Sequence, residues 1–271
     1  METTEDIVLF DMDGTLTPPR RPITEPVVLA LCDLLEHVDI GIVTGSGLDY
    51  LREQCNDPRL TSAAKRSGRK LWFLPCNGTQ AHLWESGTWS CRHSVSMRKR
   101  IGPKWMNFLF VELLDLQVAL ILREIDLPFR GQFIQDRDSM VNWSPIGRSA
   151  GTPERAAFIE FDKRKSYRFK RTRSLERLQV SGDLHPELVF KLGGQTSIDI
   201  FPKGWDKTYS LRHFTDQNAW FVGDKCSDLG NDREIYEAVR GDGRGFQSEG
   251  PDDTVRIIRD KILPAFVQKS S

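Results

Sequence analysis

The feature that most constrains the fold is an apolar run, residues 7–10, that ends in two carboxylates one residue apart, Asp11 and Asp13. An apolar run closed by a turn signal such as Gly14 is typical of a buried strand, usually in a parallel sheet. Residues i and i+2 of a strand point to the same side. We therefore expect both carboxylates to project from the carboxyl end of this strand, where ligands bind in open α/β sheets.

The paired acids predict phosphoryl chemistry assisted by a metal ion. Two carboxylates held this close repel each other unless a cation lies beside them. Mg²⁺ is the expected cation because it prefers oxygen ligands and is often shared with phosphate. One carboxylate can then attack phosphorus and form an aspartyl phosphate. The alternative is a strand followed by an ordinary Asp-Gly turn, which accounts for Asp13-Gly14 alone.

The order of elements predicts a doubly wound parallel α/β core interrupted by an inserted α+β cap. Short apolar strands are expected at 39–43, 71–74 and 219–222, and the strand–helix–strand order predicts right-handed crossovers. Alternating residues and turn signals between them are typical of antiparallel strands. The predicted domains are the core in two parts, 1–84 and 202–271, and the cap, 85–201.

Three further motifs follow predicted strands or open predicted helices. Thr44 and Ser46 follow the second strand, where a hydroxyl can donate to a phosphoryl oxygen or simply cap a helix. Lys207 opens a predicted helix and can neutralise a transferring phosphoryl group. Asp224 closes another apolar strand. Each motif is weak alone, but together they have the composition of a phosphoryl-transfer site.

At this point two strings carry a resemblance to known enzymes. DMDGTLT at 11–17 resembles the nucleophile motif of the haloacid-dehalogenase (HAD) superfamily, and FPKGWDKTY at 201–209 resembles the eukaryotic-type phosphomannomutases. The resemblance implies that Asp11 is the nucleophile and that Asp13 is the general acid/base. It also implies that Lys207 and Ser46 handle the phosphoryl group, although Thr44 is an open alternative to Ser46.

The same resemblance implies a Mg²⁺ site and a substrate site. The implied metal ligands are Asp11, Asp13 through its backbone carbonyl, Asp224, Asn231 and Asp232. The strings SPIGR at 144–148 and GGQTSIDIFP at 193–202 resemble cap segments of the family that hold the distal phosphate and sugar hydroxyls. The implied substrate-binding residues are Arg20, Arg130, Arg137, Arg148, Ser197 and Asp199.

The function implied is a phosphomannomutase that interconverts mannose 6-phosphate and mannose 1-phosphate, with a hexose 1,6-bisphosphate as activator, and that feeds GDP-mannose synthesis. The family resembled is usually dimeric through its caps, so a homodimer is expected. A HAD sugar-phosphate phosphatase, a member preferring glucose phosphates and a non-catalytic sugar-phosphate-binding protein are the alternatives. The intact core acids argue against the last of these.

Composition argues against other classes of partner. A net charge of zero gives no global reason to expect binding to nucleic acid or to an anionic membrane. The basic run 163–177 keeps apolar residues at intervals and is interpreted as a solvated cap helix. We expect no membrane span, because polar residues interrupt the most apolar helix, 105–122. An acidic start and five scattered cysteines suggest a cytoplasmic protein without a leader or disulfide framework.

Overall fold

The computed structural model describes residues 5–227 and 230–267. The chain forms two compact units, one comprising Met1–Ser94 with Trp205–Ser271 and the other Val95–Gly204. The first boundary lies later than the sequence suggested. The reason is that residues 80–94 form a hairpin that pairs with the core sheet, so they belong to the core unit.

The core unit contains a seven-stranded sheet within the described part of the chain. Its strands are β1 (Glu5–Asp11), β2 (Asp39–Val43), β3 (Leu71–Leu74), β4 (Gln80–Glu85), β5 (Thr88–Ser94), β10 (Gln217–Gly223) and β11 (Gly245–Gln247). The spatial order is β11-β10-β1-β2-β3-β4-β5, and the first five of these are parallel. The predicted doubly wound parallel core is confirmed.

Helices cover the sheet and begin largely where the sequence indicates. They are α1 (Glu25–Leu35), α2 (Leu48–Cys55), α3 (Pro58–Ser67), α8 (Arg233–Arg240), α9 (Pro251–Ile257) and α10 (Leu263–Val267), with a π-helical turn at Ile258–Ile262 between the last two. Two short 3₁₀ helices occupy Cys76–Gly78 and Lys207–His213. The α3 helix lies in a segment for which the sequence suggested no element.

Strand β1 is buried on both faces, which explains its unbroken apolar run. Val8 and Phe10 belong to one hydrophobic cluster, with α1 and α9, whereas Ile7 and Leu9 belong to another, with α8. A strand covered on both sides has no solvent face and so shows no alternation of polar and apolar residues. This burial holds the carboxyl end of β1 in a fixed position.

The second unit is an α+β domain built on a four-stranded antiparallel sheet. Its strands are β6 (Ile134–Asp136), β7 (Val141–Trp143), β8 (Leu188–Gly193) and β9 (Ser197–Pro202), in the order β6-β7-β9-β8. Its helices are α4 (Met97–Ile101), α5 (Pro103–Arg123), α6 (Thr152–Lys165) and α7 (Tyr167–Ser181). Buried Gln117 of α5 accepts a hydrogen bond from Trp143 Nε1 at 2.8 Å and donates to the carbonyl of Pro145 at 3.0 Å. This polar pair fixes α5 against β7.

Two sequence expectations about helices need correction, and a third needs qualification. The basic run forms two helices rather than one, because Ser166 takes a left-handed conformation that ends α6. The helix expected after Trp205 is a 3₁₀ helix. Helix α5 has 21 residues, and its most apolar 18-residue stretch has a mean hydropathy of 1.7, so it is long and apolar enough to span a membrane by length and composition, a test that core helices also pass. The polar residues within this segment therefore do not exclude it by composition, although a single helix of this kind is weak evidence for a membrane span.

Candidate active site

The carboxyl ends of three neighbouring strands bring the predicted acids and hydroxyls together. Strand β1 lies between β10 and β2, with Phe10 opposite Val222 and Asp11 opposite Val43. Asp11 ends β1, Thr44 follows β2, and Asp224 follows β10. The approach is close, because a Cβ at Gly14, whose φ is +94°, would collide with the carboxylate of Asp224. Asp11, Thr44 and Asp224 therefore lie together at the carboxyl edge of the sheet, where the sequence predicted the site.

Lys207 is fully buried between two carboxylates. Its Nζ donates to Asp11 Oδ1 and to Asp232 Oδ1, and the three side chains are almost inaccessible to solvent. The second oxygen of Asp232 accepts the backbone N–H of Lys225 at 3.0 Å. Both oxygens of Asp232 are thus engaged within the protein. Asp232 therefore orients Lys207. The sequence interpretation treated Asp232 as a metal ligand and did not include this contact.

Burial and neighbouring charge shift the titration of this cluster. Desolvation by burial raises the pKa of Asp11 to about 8, and the Asp232 carboxylate adds to the effect while the Lys207 ammonium opposes it. Burial by itself would lower the pKa of Lys207, but the charges and hydrogen bonds of Asp11 and Asp232 outweigh it and raise that pKa. Lys207 therefore stays cationic, and additional positive charge near Asp11 would favour the anionic form of that carboxyl.

The donor set fits a divalent cation. One carboxylate oxygen each from Asp11, Asp224 and Asp232 lies within 4.8 Å of the others. Asp224 Oδ1 is buried and has no hydrogen-bond partner in the described parts of the chain, which is costly unless a cation or water satisfies it. All-oxygen ligands suit Mg²⁺. Asn231 is half-buried in the same loop, of which residues 228 and 229 lie outside the description.

Asp13 lies next to this cluster, and two donors contact one of its oxygens. Asp13 Oδ1 accepts a hydrogen bond from Tyr50 Oη at 3.1 Å and from the backbone N–H of Arg20 at 3.2 Å. Arg20 was predicted to bind substrate through its side chain, and Tyr50 was not among the predicted site residues. The only available signal was its position in α2, which follows the loop carrying Thr44 and Ser46.

The two hydroxyls after β2 have different surroundings. Thr44 is buried, and its Oγ1 accepts the backbone N–H of Ser46 at 3.1 Å. The Ser46 side chain is half-buried, and its backbone carbonyl accepts the N–H of Cys76 at 2.9 Å. Thr44 therefore shapes the loop, whereas the Ser46 hydroxyl is more accessible to a ligand.

In the second unit, the sheet carries a row of polar residues across its strands. Gln135 lies opposite Asn142, Asn142 opposite Asp199, and Asp199 opposite Lys191. Directly opposed residues share a face of the sheet. Asn142 Nδ2 donates to Asp199 Oδ1 at 2.6 Å. Of this row only Asp199 was predicted as a site residue, although a polar residue between apolar Val141 and Trp143 was a usable sequence signal at Asn142.

The remaining predicted cap residues are placed around this row. Arg137 Nε donates to Gln135 Oε1 at 3.0 Å, and Ser197 Oγ donates to the carbonyl of Gly193 at 2.7 Å. The guanidinium of Arg130 instead pairs with Glu154 at 2.8 Å, at the start of α6. Arg148 is half-buried after β7, and its backbone N–H bonds the carbonyl of Gln132 at 3.1 Å. The structure thus gathers Arg137, Ser197 and Asp199 but not Arg130.

Solved structures with low sequence identity share the fold. The IMP-bound, N-terminally truncated IMP-nucleotidase of Plasmodium falciparum matches 95% of this chain and 68% of its own at 14% identity, with a TM-score of 0.60. A trehalose-6-phosphate phosphatase related protein matches 97% of this chain and 100% of its own at 17% identity, with a TM-score of 0.51. These matches are consistent with a HAD-type core carrying a cap.

Relatives with higher identity share both sequence and length. The phosphomannomutase of Encephalitozoon cuniculi is 38% identical over 93% of this chain and 91% of its own. That of Saccharomyces cerevisiae is 36% identical over 95% and 94%, and that of Glycine max is 37% identical over 95% and 96%. A family model described as eukaryotic phosphomannomutase matches residues 28–264. The chain therefore belongs to the eukaryotic phosphomannomutase family.

Proposed function

We propose that this isomerase interconverts mannose 6-phosphate and mannose 1-phosphate through an aspartyl phosphate on Asp11 and a hexose 1,6-bisphosphate. The observation that carries the proposal is the buried contact of Asp11 with Lys207, in a chain of this family. The bisphosphate gives one phosphoryl group to Asp11, and the monophosphate of either isomer can then take it back at its free hydroxyl.

Lys207 and Asp232 prepare the nucleophile. The Lys207 ammonium holds Asp11 Oδ1, and Asp232 holds the ammonium, so the second oxygen of Asp11 is directed to phosphorus. Asp11, Asp224 and the backbone carbonyl of Asp13 would hold Mg²⁺, with Asn231 and Asp232 beside them. When bound, Mg²⁺ supplies positive charge that neutralises the phosphoryl oxygens.

Asp13 is the general acid/base of the proposed reaction. It protonates the sugar oxygen that departs from phosphorus and takes the proton from the hydroxyl that attacks the phosphoenzyme. Ser46 is the better donor to a phosphoryl oxygen, because its side chain is half-buried and open to a ligand, whereas Thr44 is buried. Helix N–H groups at the start of α2 would add to this interaction.

The polar face of the cap sheet is proposed to bind the non-reacting end of the sugar phosphate. Asp199 and Ser197 suit sugar hydroxyls, and Arg137 suits phosphate because its planar guanidinium can donate two parallel hydrogen bonds. Arg130, Arg148 and Arg20 are the other cations proposed for substrate. Asn142 is added to the proposed substrate-binding residues because its side chain donates a hydrogen bond to Asp199 on the same face of the sheet.

A homodimer through the cap is proposed, supported by an exposed apolar stripe. The stripe lies along α5 and just beyond it, on the side away from buried Leu109 and Leu113, and its members are 43–81% exposed. They are Phe108, Val111, Leu114, Val118, Leu122 and Ile125. A contiguous apolar patch of this kind marks an interface rather than ordinary surface, and a second copy can cover it by two-fold symmetry.

The dimer proposal has a direct test. Val118→Glu should convert a dimer into a monomer in light scattering after size exclusion, because it places a charge in the centre of the stripe. Val180→Glu is the control, since Val180 is an exposed apolar residue on α7 outside the stripe. A wild-type protein that is monomeric at micromolar concentration would contradict the proposal.

We also propose, on family membership alone, that the protein is cytoplasmic and that its product feeds GDP-mannose synthesis.

The activity is tested by phosphorus NMR. The protein is incubated with mannose 1-phosphate, Mg²⁺ and a trace of glucose 1,6-bisphosphate. Accumulation of the 6-phosphate is expected. Release of inorganic phosphate would indicate a sugar-phosphate phosphatase, and an unchanged spectrum would indicate a binding protein. Repeating the measurement with glucose 1-phosphate compares the two sugars, which differ at one hydroxyl.

A further inference from the structure

The general acid/base Asp13 has two oxygens in unequal surroundings. Oδ1 accepts the Tyr50 hydroxyl at 3.1 Å and the Arg20 N–H at 3.2 Å. No residue in the described part of the chain donates to Oδ2. A carboxylate oxygen has two lone pairs in its plane, so the two donors occupy the acceptor capacity of Oδ1.

Both donors are held in place by the fold. Tyr50 lies on α2, and its ring packs against the main hydrophobic cluster of the core, which limits its side-chain freedom. Arg20 has a φ of +61°, a conformation that few residues other than glycine adopt and that costs about 1 kcal/mol or more. This backbone geometry directs the Arg20 N–H to Asp13, independently of its side chain.

We propose that Tyr50 is a positioning residue for Asp13. Together with the Arg20 N–H it keeps Asp13 Oδ1 hydrogen-bonded to the protein, so that Oδ2 is the oxygen that exchanges a proton with the sugar. The proposal rests on the proposed mutase function and specifies how its acid/base operates. Tyr50 itself contacts neither phosphorus nor the transferred proton.

The arrangement serves both directions of proton transfer. When the bisphosphate donates to Asp11, the bond between phosphorus and the sugar oxygen breaks, the Oδ2–H bond breaks, and the proton moves to that oxygen. When a monophosphate hydroxyl attacks the phosphoenzyme, the new bond between the sugar oxygen and phosphorus forms, the bond between phosphorus and the Asp11 oxygen breaks, and the hydroxyl proton moves to Oδ2. In either state Oδ1 keeps both hydrogen bonds, as carbonyl oxygen of the acid or as carboxylate oxygen. A proton on Oδ1 would instead displace a donor.

The test compares substrates whose leaving groups differ in their need for a proton. Tyr50→Phe removes the hydroxyl and keeps the ring. We expect kcat for the mutase reaction to fall about 10- to 100-fold with KM changed much less, since a hydrogen bond to a charged group is lost at the acid/base. Formation of phosphoenzyme from acetyl phosphate, whose acetate leaves without a proton, should fall far less.

Tyr236→Phe is the matched control, because Tyr236 is a half-buried tyrosine of the same unit, on α8, away from Asp13. It should leave both reactions unchanged, and the melting curves of both variants should match wild type. Equal losses on the two substrates in Tyr50→Phe, or a mutase kcat equal to wild type, would overturn the role of Tyr50. A wild-type protein without mutase activity would instead overturn the proposed function.

Discussion

Lys207 forms buried ion pairs with two acids of the site, Asp11 and Asp232, and the charges around it influence how these acids ionise. Three carboxylates, Asp11, Asp224 and Asp232, surround the site together with the two ammonium groups of Lys207 and Lys225. With all five groups ionised, the cluster carries one net negative charge, and the raised pKa values of Asp11 and Asp224 show that this state is disfavoured without a further cation. In the proposed reaction a phosphoryl group adds more negative charge, so a bound cation would reduce the repulsion between Asp11 and the substrate. The charge balance and the orphaned oxygen of Asp224 thus point to the same requirement.

At the residue scale, Asp11→Asn should abolish turnover and leave a folded protein. An amide cannot form an acyl phosphate, so the loss in kcat should be about 10³-fold or more. The measurement is mutase rate together with trapping of labelled phosphoenzyme from a hexose bisphosphate. Circular dichroism shows whether the variant has folded. Phosphoenzyme formation at the wild-type level would show that another residue is the nucleophile.

Arg148→Gln should damage mutase activity more than the reaction with acetyl phosphate. The proposed partner of Arg148 is the phosphate that does not react, which acetyl phosphate lacks. Losing a charge-assisted hydrogen bond should cost roughly 10- to 150-fold in kcat/KM toward hexose phosphates. Arg173→Gln is the control, because Arg173 is exposed on α7 and contacts residues of its own helix, Glu176 and the ring of Phe169. Equal losses on both substrates would contradict a distal-phosphate role.

At the scale of elements, the turn at Cys76–Gly78 supports the 3₁₀ helix that carries Lys207. Asn77 Nδ2 donates to the carbonyl of Trp205 at 3.1 Å, and the His213 ring lies 2.7 Å from the carbonyl of Gly78. Gly78 has a φ of +83°, and a Cβ there would meet the backbone of Ser210. The position of Lys207 therefore depends on a turn far from it in sequence.

Gly78→Ala should destabilise the protein and reduce turnover together. The substitution adds left-handed strain of about 1–2 kcal/mol and a backbone collision that moves the helix beginning at Lys207. Gly68→Ala is a matched control, because Gly68 also has a positive φ but open space around it. Urea unfolding should give a clearly larger loss for Gly78→Ala, about 3 kcal/mol or more in total. Equal losses in the two variants would mean that the contact with Ser210 contributes nothing.

At the scale of the whole molecule, each unit has its own hydrophobic interior, and the core unit also contains a partly buried cluster of titratable aromatic residues. His213 lies between His93, at a ring-centroid distance of 5.0 Å, and Tyr209, whose hydroxyl is 3.0 Å from His93 Nε2. Burial lowers the pKa of His213, the hydrogen bond to Gly78 opposes this, and the nearby His93 and Arg212 lower it further. The folded core unit therefore favours neutral His213.

This shift predicts that stability falls in mild acid. Because the folded pKa lies below the unfolded value of 6.5, the contribution of neutral His213 is present above about pH 6.5 and is lost as the pH falls through and below that value. His213→Gln should unfold with a weaker pH dependence between pH 7.5 and 5.5, measured by urea titration. An unchanged dependence in the variant would show that His213 does not contribute.

The sequence by itself determined the strands of the core and the identity of the acids at their ends. Strands β2 and β3 lie at the predicted residues, because short apolar runs closed by turn residues depend mainly on local pattern and burial. Asp11, Lys207 and Asp224 could be named since each follows or opens such an element. The resemblance added roles to these positions, and family membership agrees with it.

Only the tertiary structure decided which side chains touch. Whether Asp232 turns to Lys207, whether Tyr50 reaches Asp13, and whether Arg130 pairs with Glu154 all depend on rotamers set by packing between segments distant in sequence. The same holds for the hairpin that joins the core sheet and for the break at Ser166, where a non-glycine residue takes a left-handed conformation. Local pattern carries no information about such contacts, because their free energy comes from neighbours that the chain brings together only when it folds.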